Sequence, residues 1–117
     1  MIAFGGAKLA ILSRGYVVTI LRDDRPDIPY PGFWDLPGGG REGSESPEDC
    51  ALRETKEELS LVIQASDLIW KRCYPARLLG AKHNWFFATD LPCLDTRTIR
   101  LGDEGQEWRM MQVTEFL

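Results

Sequence analysis

At 117 residues, 44% of them hydrophobic, the chain is long enough to bury one core and short of the size at which chains divide. Residues 1–117 therefore read as one domain. Its 14 basic and 18 acidic residues leave a net charge of −4, which argues against a broad contact with a nucleic-acid polymer or an anionic membrane. A small anionic ligand fits such a chain when a cation supplies the missing positive charge.

Cys50, Cys73 and Cys93 are odd in number and contain no C-x-x-C pair, so they read as reduced thiols. The N-terminal stretch lacks a signal-peptide pattern, and no segment has the roughly 20 apolar residues of a membrane span. The expectation is a cytoplasmic protein, monomeric or homodimeric.

Lys8–Ser13 and Tyr16–Arg22 are β-rich runs separated by Arg14-Gly15, the pattern of an antiparallel hairpin. Asp23–Gly32 holds three prolines and three aspartates and reads as a loop, followed by a short extended stretch, Phe33–Leu36. Gly38, Gly39 and Gly40 form a segment without Cβ atoms, able to approach a ligand closely. Ser46 then opens the clearest helix: a Ser N-cap, Pro47 at the first helical position, acidic Glu48 and Asp49, and strong helix formers through Leu59. Asp49, three residues after Ser46, suggests a capping box. Leu68–Tyr74, His83–Thr89 and Glu107–Val113 have strand composition. Thr114–Leu117 looks like the N-cap and first turn of a helix that the chain stops too soon to complete. This order predicts an α/β sandwich.

At 100° per residue, Glu54, Glu57 and Glu58 share one face of the Ser46–Leu59 helix, while Ala51, Leu52, Thr55 and Leu59 share another. Like charges at these spacings repel by a few tenths of a kcal/mol per pair. Taken alone, E-x-x-E-E is an ordinary solvated face. Beside a glycine-rich segment it also offers the hard oxygen donors that Mg²⁺ or Mn²⁺ prefers.

The surrounding residues extend this pattern. From Gly39, five residues lead to Glu45, seven more to Arg53-Glu54, and then follow Glu57-Glu58 and Leu61. This stretch closely resembles the box of the Nudix hydrolase family: Gly, five residues, Glu, seven residues, Arg-Glu-apolar-x-Glu-Glu-x-Gly-apolar. At roughly 6% frequency per residue type, six such matches arise by chance with odds of order 10⁻⁷ per start. Thr55 is a weakly apolar choice, and Ser60 stands where the family has Gly. The Leu36-Pro37-Gly38-Gly39 entry is also family-like.

The resemblance implies an α/β/α sandwich with a mixed β-sheet and a loop-helix-loop box. It further implies Mg²⁺, or Mn²⁺, held by Glu54, Glu57, Glu58 and the Gly39 carbonyl. Arg53 is then expected to orient a neighbouring glutamate, with Glu45 in the same network. The general base is Glu54 or a glutamate on a later loop, for which Glu104 is the best-placed position, as base, additional ligand or plain turn carboxylate. The implied activity is hydrolysis of a phosphoanhydride in a nucleoside diphosphate derivative, foremost a nucleoside triphosphate in the MutT-like manner. Cleavage of an ADP-sugar or dinucleoside polyphosphate is the alternative within the family, and a nucleotide-binding module without turnover is the alternative outside catalysis. His83, the sole histidine, reads as structural or surface. Trp34, Phe33, Tyr74, Trp85 and Phe86 suit a core as well as a base, and Arg22 and Arg77 suit a phosphate as well as exposed strand ends.

Overall fold

The computed structural model describes residues 3–76 and 80–117, so Arg77 lies outside the described residues. The hairpin forms from β1 (Phe4–Ser13) and β2 (Tyr16–Leu21), with Arg14 and Gly15 both at positive φ, as a two-residue turn between twisted strands requires. β1 starts four residues earlier than its composition suggests. Gly5 and Gly6 carry little strand signal, yet a Cβ on Gly6 would collide with the Gly39 carbonyl, so the absence of a side chain is what lets the strands meet.

β1 and β2 pair with each other only near the turn, at Leu12–Val17 and Ser13–Tyr16. Beyond it they take different partners. β2 pairs along its length with β7 (Glu107–Gln112), while β1 runs parallel to β6 (His83–Asp90), which pairs antiparallel with β5 (Leu68–Tyr74). The sheet is therefore mixed, and it splits open away from the hairpin.

The segment Trp34–Gly40 crosses this split. β3 (Trp34–Asp35) pairs with β2, and β4 (Gly38–Gly40) pairs with β1. The glycine run, read from its composition only as a segment free of Cβ atoms, is thus a short strand. Its freedom from Cβ atoms serves the protein's own backbone: Gly38 has φ +146 and a Cβ there would overlap the Ala7 carbonyl.

Helix α1 (Pro47–Leu59) packs on β1, β4 and β6 through Cys50, Ala51, Thr55 and Leu59, all fully buried. Ser46 Oγ accepts from the Asp49 N–H at 3.1 Å, the N-cap half of the expected box. Thr55 is accommodated in the core because its Oγ1 donates back to the Ala51 carbonyl at 2.8 Å. The core completes itself with Phe4, Leu9, Ile11, Val18, Ile20 and Phe87, each such side chain contributing about 1.5–3 kcal/mol by burial. At the end of the chain, α2 (Val113–Phe116) follows a Gln112 cap, two residues before the expected Thr114. Among the described residues no helix is long and apolar enough to cross a membrane.

Candidate active site

The N-cap at Ser46 and the buried stripe of α1 leave its acidic edge facing β4 and the split in the sheet. Arg53 organises that edge. Its guanidinium grips Glu45 in a bidentate pair at 2.8 and 3.0 Å. It also donates to Glu54 at 3.0 Å, to Glu57 at 3.1 Å and to the Gly40 carbonyl at 2.9 Å. With only 22% of its side chain exposed, Arg53 is a partly buried hub, and charge-assisted bonds of this kind are the strong ones. The pairing with Arg53 holds the Glu45 carboxyl down at about 2 and pushes the Arg53 guanidinium further up.

Glu58 points the other way, toward β4, where its Oε1 accepts the Gly38 N–H at 3.1 Å. Burial pushes its carboxyl up to about 8, and the adjoining Glu54 adds to the rise against the opposing pull of Gly38 and Lys8. Two carboxyl groups are thus pressed together in a partly dry place. Gly39 lies directly on Glu54: a Cβ there would stand 2.7 Å from the Glu54 carboxylate carbon. The buried Cys50 thiol, raised to about 11 chiefly by burial, stays protonated and donates to the Gly39 carbonyl at 3.6 Å.

Ser60 caps α1 in the left-handed conformation, φ +61, with its N–H donating to Lys56 O, so it takes the geometry a glycine would supply. Its hydroxyl donates to the Arg100 carbonyl at 3.2 Å, while Arg100 N–H and Gly102 N–H donate to Leu59 O and Glu58 O at 2.9 Å each. These three bonds fasten the later loop to the end of the helix. That loop brings Asp103 and Glu104 to the rim of a cleft of about 600 Å³, which Glu54, Glu57, Glu58, Gly38 and Gly39 also line.

Lys8 and Arg22 line the same cleft. Asp35 of β3 sits between them, 2.6 Å from Lys8 Nζ and 3.4 Å from Arg22, tying β1 to β2 across the split. Lys8 carried no functional signal in the sequence, since a lysine within a strand marks only an outward face. His83 begins β6 away from this cleft, its Nδ1 buried without a hydrogen-bond partner among the described residues. Trp85 packs against the core and Phe86 meets Tyr74 edge-on at 5.0 Å.

Among the described residues no three carboxylate, imidazole or thiolate groups already stand in metal-binding array. Arg53 holds Glu54 and Glu57, and Gly38 holds Glu58. The donor chemistry nevertheless fits a hard divalent cation. Two crowded carboxyls, one with a raised proton affinity, together with a main-chain segment lacking Cβ atoms, make a place where a cation would relieve repulsion.

A split mixed sheet with a capped carboxylate helix, a glycine strand on it and cations beside it defines an α/β protein built around an acidic, ligand-accessible cleft. The model of the NUDIX domain family matches residues 7–117, and the chain belongs to that family. Its relatives include an RNA pyrophosphohydrolase of Gluconacetobacter diazotrophicus, 30% identical over 108 residues, covering 87% of this chain and 57% of that protein. An 8-oxo-dGTP diphosphatase of Proteus vulgaris is 42% identical over 38 residues, 32% of this chain and 34% of that protein. The chain thus spans well under two thirds of these relatives' length. Among solved structures, a MutT/nudix family protein from Enterococcus faecalis superposes with TM-score 0.71 at 23% identity, over 94% of this chain and 44% of that one. An Ap4A hydrolase of C. elegans gives TM-score 0.71 at 20% identity, over 94% and 81%. At such identities the structures establish the shared fold.

Proposed function

We propose that this chain, as one domain, hydrolyses a phosphoanhydride bond in a nucleoside diphosphate linked to a further group, with a nucleoside triphosphate as the leading substrate. The observation that carries this reading is that Glu54, Glu57, Glu58 and Glu104 line one cleft together with Lys8 and Arg22. Glu54, Glu57, Glu58 and the Gly39 carbonyl would hold Mg²⁺, with Mn²⁺ as a substitute. When bound, the cation neutralises phosphate oxygens and makes a water more acidic.

The protein's own residues do the rest. Arg53 is a positioning residue that fixes the Glu54 and Glu57 carboxylates through its fork, and Glu45 fixes Arg53 in turn. Lys8 and Arg22 would bind the phosphates. Glu104 is the stronger candidate for the base that takes the water proton on its carboxylate. Glu54 shares its charge with Arg53, whereas Glu104 makes no ion pair among the described residues.

The 8-oxo-dGTP diphosphatase supports a nucleoside triphosphate substrate, and the RNA pyrophosphohydrolase points to a phosphorylated RNA end. A net charge of −4 favours the free nucleotide over a nucleic-acid polymer. The test is a screen of nucleoside triphosphates, dinucleoside polyphosphates, ADP-ribose and a 5′-triphosphorylated RNA with Mg²⁺, reading out phosphate, pyrophosphate and nucleoside monophosphate. Pyrophosphate with a nucleoside monophosphate is the expected product pair. No product from any of them would leave a binding module.

A further inference from the structure

Between β2 and β3 the chain turns back on itself. Arg22 N–H donates to Phe33 O at 2.9 Å, Gly32 N–H to Asp23 O at 3.1 Å and Phe33 N–H to Tyr30 O at 3.3 Å. The closure brings Tyr30 and Phe33 together, with ring centroids 5.9 Å apart and planes inclined at 53°. Both rings face solvent, 71% and 61% exposed. Tyr30 also sits at φ +48, a conformation that a bulky side chain rarely adopts. Exposure and strain coincide on one loop.

What lies beside the pair gives them a use. A cleft of about 330 Å³ is lined by Pro29, Tyr30, Phe33 and Trp34 together with Lys8 and Arg22, whose Nε donates to the Pro29 carbonyl at 2.9 Å. Lys8 and Arg22 line the carboxylate cleft as well, so the two depressions share a basic edge. Trp34 has Arg109 over its ring at 4.6 Å, which leaves Tyr30 and Phe33 as the free aromatic faces. Asp35 offsets one of the two cations, so the shared edge keeps one positive charge for an incoming polyanion.

We propose that Tyr30 and Phe33 are the stacking platform for the base of the substrate, and that Lys8 and Arg22 grip the phosphates leading from that base to the carboxylates. This rests on the nucleotide reading above and adds to it the place of the base. Every nucleobase has a π-face, so the platform tolerates different bases, and discrimination falls to groups on its rim.

Calorimetric titration with AMP, GMP, CMP, UMP and, as a base-free probe, ribose 5-phosphate tests the proposal. At least one nucleotide should bind about five-fold or more tighter than ribose 5-phosphate, the low end of what one aromatic stack contributes. Tyr30→Ala and Phe33→Ala should abolish that margin without changing the melting temperature or ribose 5-phosphate binding, and Phe33→Tyr should keep it. Equal binding of ribose 5-phosphate and every nucleotide, or alanine variants that keep the margin, would overturn the platform. Turnover of nucleotides without a base-dependent margin sinks the platform and leaves the hydrolase reading standing. A base-dependent margin without turnover does the reverse.

Discussion

The two depressions that share the Lys8 and Arg22 edge have outer walls held in opposite ways. On the helix wall, Arg53 alone makes five hydrogen bonds to Glu45, Glu54, Glu57 and Gly40, and Glu45 and Glu54 are partly buried. On the loop wall, Tyr30 and Phe33 are exposed and the segment is closed by a few main-chain bonds. A site that must hold like charges together needs dense bonding, because each unpaired carboxylate would swing away or take up a proton. A surface that offers a flat apolar face needs only to be kept in place.

That contrast predicts where substitutions bite. Glu57→Gln removes a charge without changing shape, and turnover of a nucleoside triphosphate with Mg²⁺ should fall at least 100-fold while the melting temperature holds, since Glu57 is 56% exposed. Near-native turnover would break the assignment of the helix wall. Arg53→Ala should cost about 2–3 kcal/mol in chemical denaturation, because it strands partly buried carboxylates, and Arg53→Lys should recover only a fraction of it for want of the fork.

The pH dependence sharpens the contrast further. Glu58 binds its proton more tightly folded, about 8, than unfolded, about 4.5, so folding takes up a proton between those values and stability falls as pH rises through them. Glu45 behaves oppositely: its contribution is present above about 4.5 and lost as pH falls toward about 2. Melting of the metal-free protein against pH should show both limbs, Glu58→Gln should flatten the upper one, and millimolar Mg²⁺ should raise the melting temperature more at pH 8 than at pH 5. The smallest effect belongs to Ser60→Gly. Relief of its left-handed backbone and loss of the bond to Arg100 oppose each other, and the net change should stay within about 1 kcal/mol.

What the sequence revealed follows the range of the interactions involved. Helix α1 was legible to the residue at its start because Ser46 and Pro47 act locally, and its acidic face followed from helical periodicity. β4 was not legible as a strand, since three glycines carry no strand preference and their pairing depends on where β1 parts from β2. Lys8 and Tyr30 are silent in the sequence for the same reason. A lysine in a strand and a tyrosine in a proline-rich loop gain meaning only when a fold sets them beside one cleft.

The seven residues Trp34–Gly40 cross the split sheet by pairing with β2 at one end and β1 at the other. Each wall is therefore anchored to its own strand, and the crossing ribbon sets the gap between them like the hinge plate of a vice. Sequence drift in the loop before Trp34 can reshape one jaw while the other keeps its grip. The architecture thereby lets new ligands be acquired without rebuilding the acidic machinery opposite.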